Sequence, residues 1–265
     1  MTKAVSAILL GVAVIAAVLW LPNWALAALI FGTAAAGLFE YSKMFFEDKV
    51  ERWAVVAVGA LLALWTMGPL PWRKAAALGI VAALFLLAIT VMWRSKELSR
   101  SAERAGLAIM GVVYLGVAFP IWSWLLRMPK GRALVLVALV PACLCDVFGL
   151  LAGKAFGRHR LAPMVSPNKT IEGLAGSLAG SILGVMAVRF LMLPELPVAW
   201  ALGLALVVWV VSPLGDLIES MQKRSAGLKD SGQIIPGHGG MLDRLDALVF
   251  TAPAAFAYLK YLVGM

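Results

Sequence analysis

The sequence predicts an all-α, polytopic transmembrane helical bundle of about nine helices. Three observations carry that expectation. Hydrophobic residues make up 62% of the 265, and charged residues only 14%, against about 25% charged in soluble domains. Apolar runs repeatedly approach the ~18–20 residues that cross hydrocarbon as a helix, where a helix satisfies its own backbone. The short alternating segments of a transmembrane barrel are not found.

The first span runs from Ala4 to Leu21. "ALA" at Ala25 to Ala27 looks like a cleavage site, but the apolar run is long for a signal peptide, so it reads as a retained helix. Trp24 to Phe39 follows, with "LPN" between as a tight hairpin. Trp53 to Leu70 and Ala75 to Trp93 come next, then Ala105 to Leu126 after a charged linker. Ala133 to Gly153 carries Pro141, which is expected to kink it. Ile171 to Leu193 opens after "SPNKT", where Ser166-Pro167 or Thr170 offers an N-cap. Val198 to Ile218 ends in acids, and Leu245 to Val263 closes the bundle. Cys143 and Cys145 lie two apart in an apolar run, read as packing residues rather than a disulfide or zinc pair.

The formal charge is +9. In a membrane protein such an excess belongs in cytoplasmic loops, so no nucleic-acid partner is expected. With the N-terminus cytoplasmic, the inside loops hold Lys43, Lys49 and Arg52, then the basic runs 94–104, 154–169 and 223–244. The outside loops hold only Arg73, Lys74, Arg127, Lys130 and Arg132. The segment "LKDSGQIIPGHGG" is therefore expected on the cytoplasmic face.

Acidic residues divide the chain. Glu40, Glu47, Asp48, Glu51, Glu97 and Glu103 are read as solvated loop acids without chemistry, which makes residues 1–104 scaffold. Residues 105–265 are expected to form the catalytic region. There Asp146 lies within a span, Glu172 opens one, Asp216 and Glu219 close another, and Asp243 and Asp246 begin the last. Carboxylates in spans are costly and are usually paired, cavity-facing and functional.

Asp216, Glu219 and Ser220 share one helix face, and Lys223 continues the row. Asp243 and Asp246 repeat the spacing on the next helix. Such carboxylates can hold Mg²⁺, which prefers oxygen ligands and substrate phosphate. They fit equally a structural network with Lys223, Arg224, Lys229 and Arg244. The glycine-rich "PGHGG" favours the first reading, because Gly239, Gly240 and their neighbours offer backbone N–H groups to phosphate oxygens. His238 within it can touch phosphate or cap a turn. A second patch, "GRHRLAPMVSPNKTIEG", sets Lys169 beside a helix N-terminus, a ready anion site. An ordinary capped helix start explains it too. Glu172 can pair with Lys169 or reach a metal. Asp146 either bonds a neighbouring helix or faces a polar cavity.

The stretch "SMQKRSAGLKDSGQIIPGHGGMLDRLD", Ser220 to Asp246, resembles the long motif of the phosphatidate cytidylyltransferases. It reads Ser, two positions, Lys-Arg, four positions, Lys-Asp, then Pro-x-His-Gly-Gly and Asp-Arg-x-Asp. Gln222 departs from the usual aliphatic residue. "SPNKTIEG" and "D…G…GKAFGR" resemble the upstream segments. The resemblance covers roughly the C-terminal half of the chain. It implies a bacterial inner-membrane homodimer that converts CTP and phosphatidic acid to CDP-diacylglycerol and pyrophosphate, with the site facing the cytoplasm. It also implies Mg²⁺ dependence, with a second cation for which a monovalent ion such as K⁺ is admitted. Asp216 and Asp243 would be the metal-binding acids, with Asp246 beside them. Lys223, Arg224, Lys229 and Arg244 would neutralise the triphosphate, and Ser166, Lys169 and Thr170 would form a second anion clamp. A transporter would use buried acids without the Lys/Arg-rich loop, and it often shows an internal repeat, which this sequence lacks. The Asp-Gly and Ala-Arg pattern of CDP-alcohol phosphotransferases is also missing.

Overall fold

A computed structural model of the chain describes residues 3–95, 97–232 and 239–265. Eight helices among them are long and apolar enough to cross a membrane, and a shorter apolar helix lies at Leu10–Trp20. The all-α polytopic bundle of about nine helices is therefore the observed architecture. The helices are α1 (Lys3–Trp20), α2 (Asn23–Phe45), α3 (Lys49–Met67), α4 (Leu70–Arg94) and α5 (Leu98–Val113). Helix α5 runs on through a π turn at Tyr114–Ala118 and a 3-10 turn at Phe119–Ile121 into α6 (Trp122–Arg127). Then come α7 (Gly131–Phe156), an antiparallel hairpin of β1 (Arg160–Ala162) and β2 (Ser166–Thr170), α8 (Ile171–Met192), α9 (Val198–Ser225) and α10 (Leu242–Ala257).

The chain divides into two compact units. The first holds Met1–Leu26, Trp124–Lys229 and Asp246–Met265. Its centre is the packing of α7 on α8, made possible by glycines at positions 173, 176, 180 and 184 of α8. A Cβ on Gly180 would lie 2.4 Å from the Leu144 carbonyl oxygen, and one on Gly184 would lie 2.6 Å from Pro141 Cα. Small residues allow backbones this close where lipid supplies no hydrophobic drive. Helix α9 is tied on by Ser181 Oγ, which donates to the Ala205 carbonyl (2.7 Å), and by Trp209 Nε1, which donates to the Leu174 carbonyl (2.7 Å). Cys145 is buried as expected, but Cys143 is exposed. Residues two apart on a helix point to different sides, so only one of them faces the packed interior.

Arg132, near the start of α7, secures the end of α1. Its guanidinium donates to the carbonyls of Val18 (3.0 Å) and Leu21 (2.7 Å), and also to Leu19. The last carbonyls of a helix have no partner within it, and Arg presents several donors in a rigid fork. Arg132→Ala is expected to lower the thermal midpoint in detergent micelles, by about 1–3 kcal/mol of stability. Arg132→Lys should recover only part, because an ammonium cannot span the same carbonyls. An unchanged midpoint in the Ala variant would show that α1 holds its place without the clamp.

The second unit holds Ala27–Ser123 and Asp230–Leu245. Leu38, Tyr41, Leu62 and Leu115 are fully buried in it. Asp48 caps α3 by accepting from Val50 N and Glu51 N, and Arg94 binds it through Nε and Nη2 (3.0 and 2.9 Å). The Arg94 hydrogen bond and then the Glu51 backbone bond hold the Asp48 carboxyl well below its usual range. That contribution to stability is present above the ordinary carboxylate range and is lost as pH falls through the depressed value.

Two of the supposedly solvated acids are not solvated. Glu40 is 3% exposed and Glu51 is 0% exposed. Helix α2 continues six residues past Phe39, to Phe45, and carries Glu40 inward on its last turns. Glu51 lies in the first turn of α3 and pairs with Arg104 of α5.

Candidate active site

In the first unit, helix geometry brings the carboxylates of Asp216 and Glu219 to one face of α9, and α10 brings Asp246 to meet them. Ligand oxygens of these three acids lie within 4.8 Å of one another. Gly215 permits the approach, since a Cβ there would sit 2.4 Å from the Asp246 carbonyl oxygen. Glu219 is fully buried, and Asp216 and Asp246 are half-buried. Two ammonium groups offset the negative charge. Lys169 Nζ lies 2.6 Å from Asp216 Oδ2, and Lys223 Nζ lies 2.6 Å from Glu219 Oε2, one helical turn on. Ser220 Oγ donates to Asp216 Oδ1 (3.3 Å).

Lys169 reaches Asp216 from the hairpin that joins α7 to α8. Ser166 begins β2, and Thr170 ends it. Of the two candidate N-caps, Thr170 caps α8: its Oγ1 accepts from Gly173 N (3.0 Å). Glu172 turns the other way. It accepts from Arg158 N (3.0 Å) and lies 2.7 Å from His159 Nδ1, which anchors the entry to the hairpin.

Asp216 and Lys169 also line a cavity of about 600 Å³, within the range of small-molecule sites. Asp146, Lys154, Arg160 and Asn168 add polar groups to its wall, and Leu150, Leu161 and Leu174 give it an apolar side. Lys154, Arg160 and Lys169 outnumber the two acids in this lining, and with the apolar residues they suit a ligand with anionic and greasy parts.

In the second unit, Asp243 Oδ2 accepts from Ser231 N (3.1 Å), Ser231 Oγ (3.0 Å) and Gly240 N (2.8 Å). Gly239 sits at φ +79°, where a side chain is strained, and a Cβ there would lie 2.6 Å from Asp243 Oδ2. Arg244 is half-buried. In the first unit, Lys229 is exposed. Arg224, at the end of α9, donates to the Leu228 carbonyl (3.1 Å) and the Val165 carbonyl (3.4 Å), fastening the chain on both sides. His238 lies outside the described residues.

Sequence reasoning saw Glu219 on the Asp216 face but left it out of the metal-ligand set. The signal was the i, i+3 spacing, and its full burial was invisible without the fold. Lys154, Arg160 and Asn168 carried no signal beyond being polar residues between two apolar spans. Asp146 was one of two open readings, and the structure sets it in the cavity wall.

Comparison with known proteins gives this geometry its context. The phosphatidate cytidylyltransferase of Staphylococcus aureus (strain COL) is 35% identical over 199 residues, covering 75% of each chain. That of Synechocystis sp. (strain ATCC 27184 / PCC 6803 / Kazusa) is 43% identical over 143 residues, which is 54% of this chain and 48% of its own. That of Staphylococcus haemolyticus is 36% identical over 174 residues, 66% of this chain and 65% of its own. The profile described as "Cytidylyltransferase family" matches residues 2–262. With its membrane helices, its buried acids and a match along nearly its whole length, the chain belongs to the cytidylyltransferase family.

Proposed function

We infer that the chain transfers the cytidylyl group of CTP to phosphatidate, giving CDP-diacylglycerol and pyrophosphate for phospholipid synthesis. The observation that carries this reading is the Asp216–Glu219–Asp246 cluster with Lys169 and Lys223, at the edge of a cavity with cationic and apolar walls. The relatives' names supply the substrates. A phosphate oxygen of phosphatidate attacks the α-phosphorus of CTP. The bond from that phosphorus to the bridging oxygen breaks, and its electron pair leaves with pyrophosphate. A phosphate monoester is largely ionised at neutral pH, so no dedicated general base is needed. Such transfer depends on positioning and electrostatic stabilisation rather than covalent help.

Asp216, Glu219 and Asp246 would hold Mg²⁺, because three convergent hard oxygen donors fit that ion. When bound, it polarises phosphate oxygens as a Lewis acid. Lys169 and Lys223 balance the acids and present positive charge to the triphosphate. Lys154 and Arg160, on the cavity wall, attract the lipid phosphate. The motif from Ser220 to Asp246 supports Asp243 as a divalent-cation ligand, and the family resemblance supports a second cation, monovalent such as K⁺. The motif also supports Arg224, Lys229, His238, Gly239, Gly240 and Arg244 as phosphate-binding positions. The distribution of Lys and Arg supports a cytoplasmic N-terminus and a site on the cytoplasmic face of a bacterial inner membrane. The family resemblance supports a homodimer.

The test is direct. The purified chain in detergent is incubated with CTP radiolabelled in the cytosine ring, phosphatidic acid and Mg²⁺. Label is expected in the lipid phase, and excess EDTA is expected to abolish it. Folded protein that transfers no label to phosphatidic acid would overturn the reading.

A further inference from the structure

The N-terminal scaffold contributes one carboxylate to the segment that carries Asp243. Glu40 is on α2, yet its Oε2 accepts from Leu242 N (2.8 Å), 202 positions along the chain, and from Ser231 Oγ (3.1 Å). Leu242 is the first residue of α10. Its N–H is one of the donors that a helix leaves unpaired at its start, and a carboxylate is favoured there by the helix dipole. Ser231 links the two acids, since its Oγ lies 3.1 Å from Glu40 Oε2 and 3.0 Å from Asp243 Oδ2. A hydroxyl has one proton to donate, so the two carboxylates share a single donor. Both are held by backbone N–H groups on either side. Two glycines let the chain wrap this tightly: a Cβ on Gly232 would lie 2.6 Å from Glu40 Oε1, and one on Gly240 would lie 2.3 Å from Glu40 Oε2. Glu40 Oε1 is itself buried and has no hydrogen-bond partner among the described residues. A packing residue has no need of a charge here. A carboxylate is costly to bury, and this one is held at the start of α10 by Leu242 N and Ser231 Oγ.

We propose that Glu40 is a positioning residue for Asp243, capping α10 from another helix and fixing the Asp243 carboxylate through the shared Ser231 hydroxyl. The proposal rests on the reading of Asp243 as a cation ligand. It makes residues 1–104 part of the machinery rather than scaffold alone.

The test compares Glu40→Ala, Glu40→Gln, Ser231→Ala and Asp243→Asn in the purified full chain. Two quantities are read: Mn²⁺ affinity without substrates, by the electron paramagnetic resonance of the free ion, and the Mg²⁺ concentration for half-maximal lipid labelling. Thermal midpoints are measured alongside. Asp243→Asn, Glu40→Ala and Ser231→Ala are each expected to weaken Mn²⁺ binding and raise the Mg²⁺ requirement roughly tenfold, the size seen when outer-shell partners are removed. Glu40→Gln keeps an acceptor for Leu242 N and should recover most of the Glu40→Ala loss. A lower midpoint with unchanged cation dependence in Glu40→Ala and Ser231→Ala, beside a defective Asp243→Asn, would overturn the proposal and leave Asp243 as a ligand. Wild-type cation dependence in Asp243→Asn would remove both. If Glu40→Ala does not fold, Ser231→Ala decides, because deleting one hydroxyl leaves the Glu40 cap on Leu242 in place.

Discussion

Asp216→Asn is expected to reduce lipid labelling by roughly 10²–10³-fold while the protein stays folded, the loss typical of removing one preorganised electrostatic group from a reaction centre. Asparagine keeps the shape and one acceptor oxygen but removes the charge. Lys169 then loses its 2.6 Å partner, and the three-acid cluster loses the member that also lines the cavity. Both effects fall on the step in which negative charge moves onto the leaving pyrophosphate. Because Asp216 is half-buried and on the cavity side of α9, the change should leave the helix packing alone. Turnover at saturating CTP, with the thermal midpoint as control, checks it. Undiminished turnover would remove the cluster from the mechanism.

Gly180→Ala is expected to do the reverse, disrupting the fold without touching a charged group. The added methyl would sit 2.4 Å from the Leu144 carbonyl oxygen and 2.8 Å from its carbon. These are backbone atoms of a facing helix, which cannot rotate away as a side chain does. Overpacking costs about 1–3 kcal/mol where side chains can yield, and here the helices themselves must part. The expected result is a lower thermal midpoint and material in the void volume on size exclusion. Gly106 provides the control, since nothing among the described residues lies within 4 Å of a Cβ built there. Gly106→Ala should be neutral or stabilising by about 0.5–1 kcal/mol, as helical Gly to Ala changes are. Equal behaviour of the two variants would mean that the close approach of α7 and α8 does not limit stability.

The spans were legible because hydrocarbon imposes length and apolarity on each segment separately, a local property of sequence. The ends were less so. Helix α2 outruns its apolar stretch because Glu40 finds partners at positions 231 and 242, and no local pattern announces a contact across some 200 residues. Helix α9 runs on from Ile218 to Ser225 because Glu219 and Lys223 pair one turn apart. The hairpin Arg160–Thr170 was missed because its strands are three and five residues long and alternate nothing. Within the site, one-turn spacing put Asp216 and Glu219 together. The motif supplied Asp243 by resemblance, whereas the meeting of Asp246 with the α9 acids depends on how two helices cross at Gly215, which sequence spacing does not encode.

The clamp of Arg132 on the end of α1 has a consequence for how the protein is made. Helix α1 leaves the ribosome before α7, and the guanidinium that satisfies its last carbonyls follows 111 to 114 residues later. At about 5–20 residues per second, α1 waits roughly 5–20 s in the membrane before its partner is synthesised. The clamp on α1 in the first unit is therefore completed during translation only after the whole α2–α6 stretch has emerged, so α1 is secured later than its place in the chain suggests.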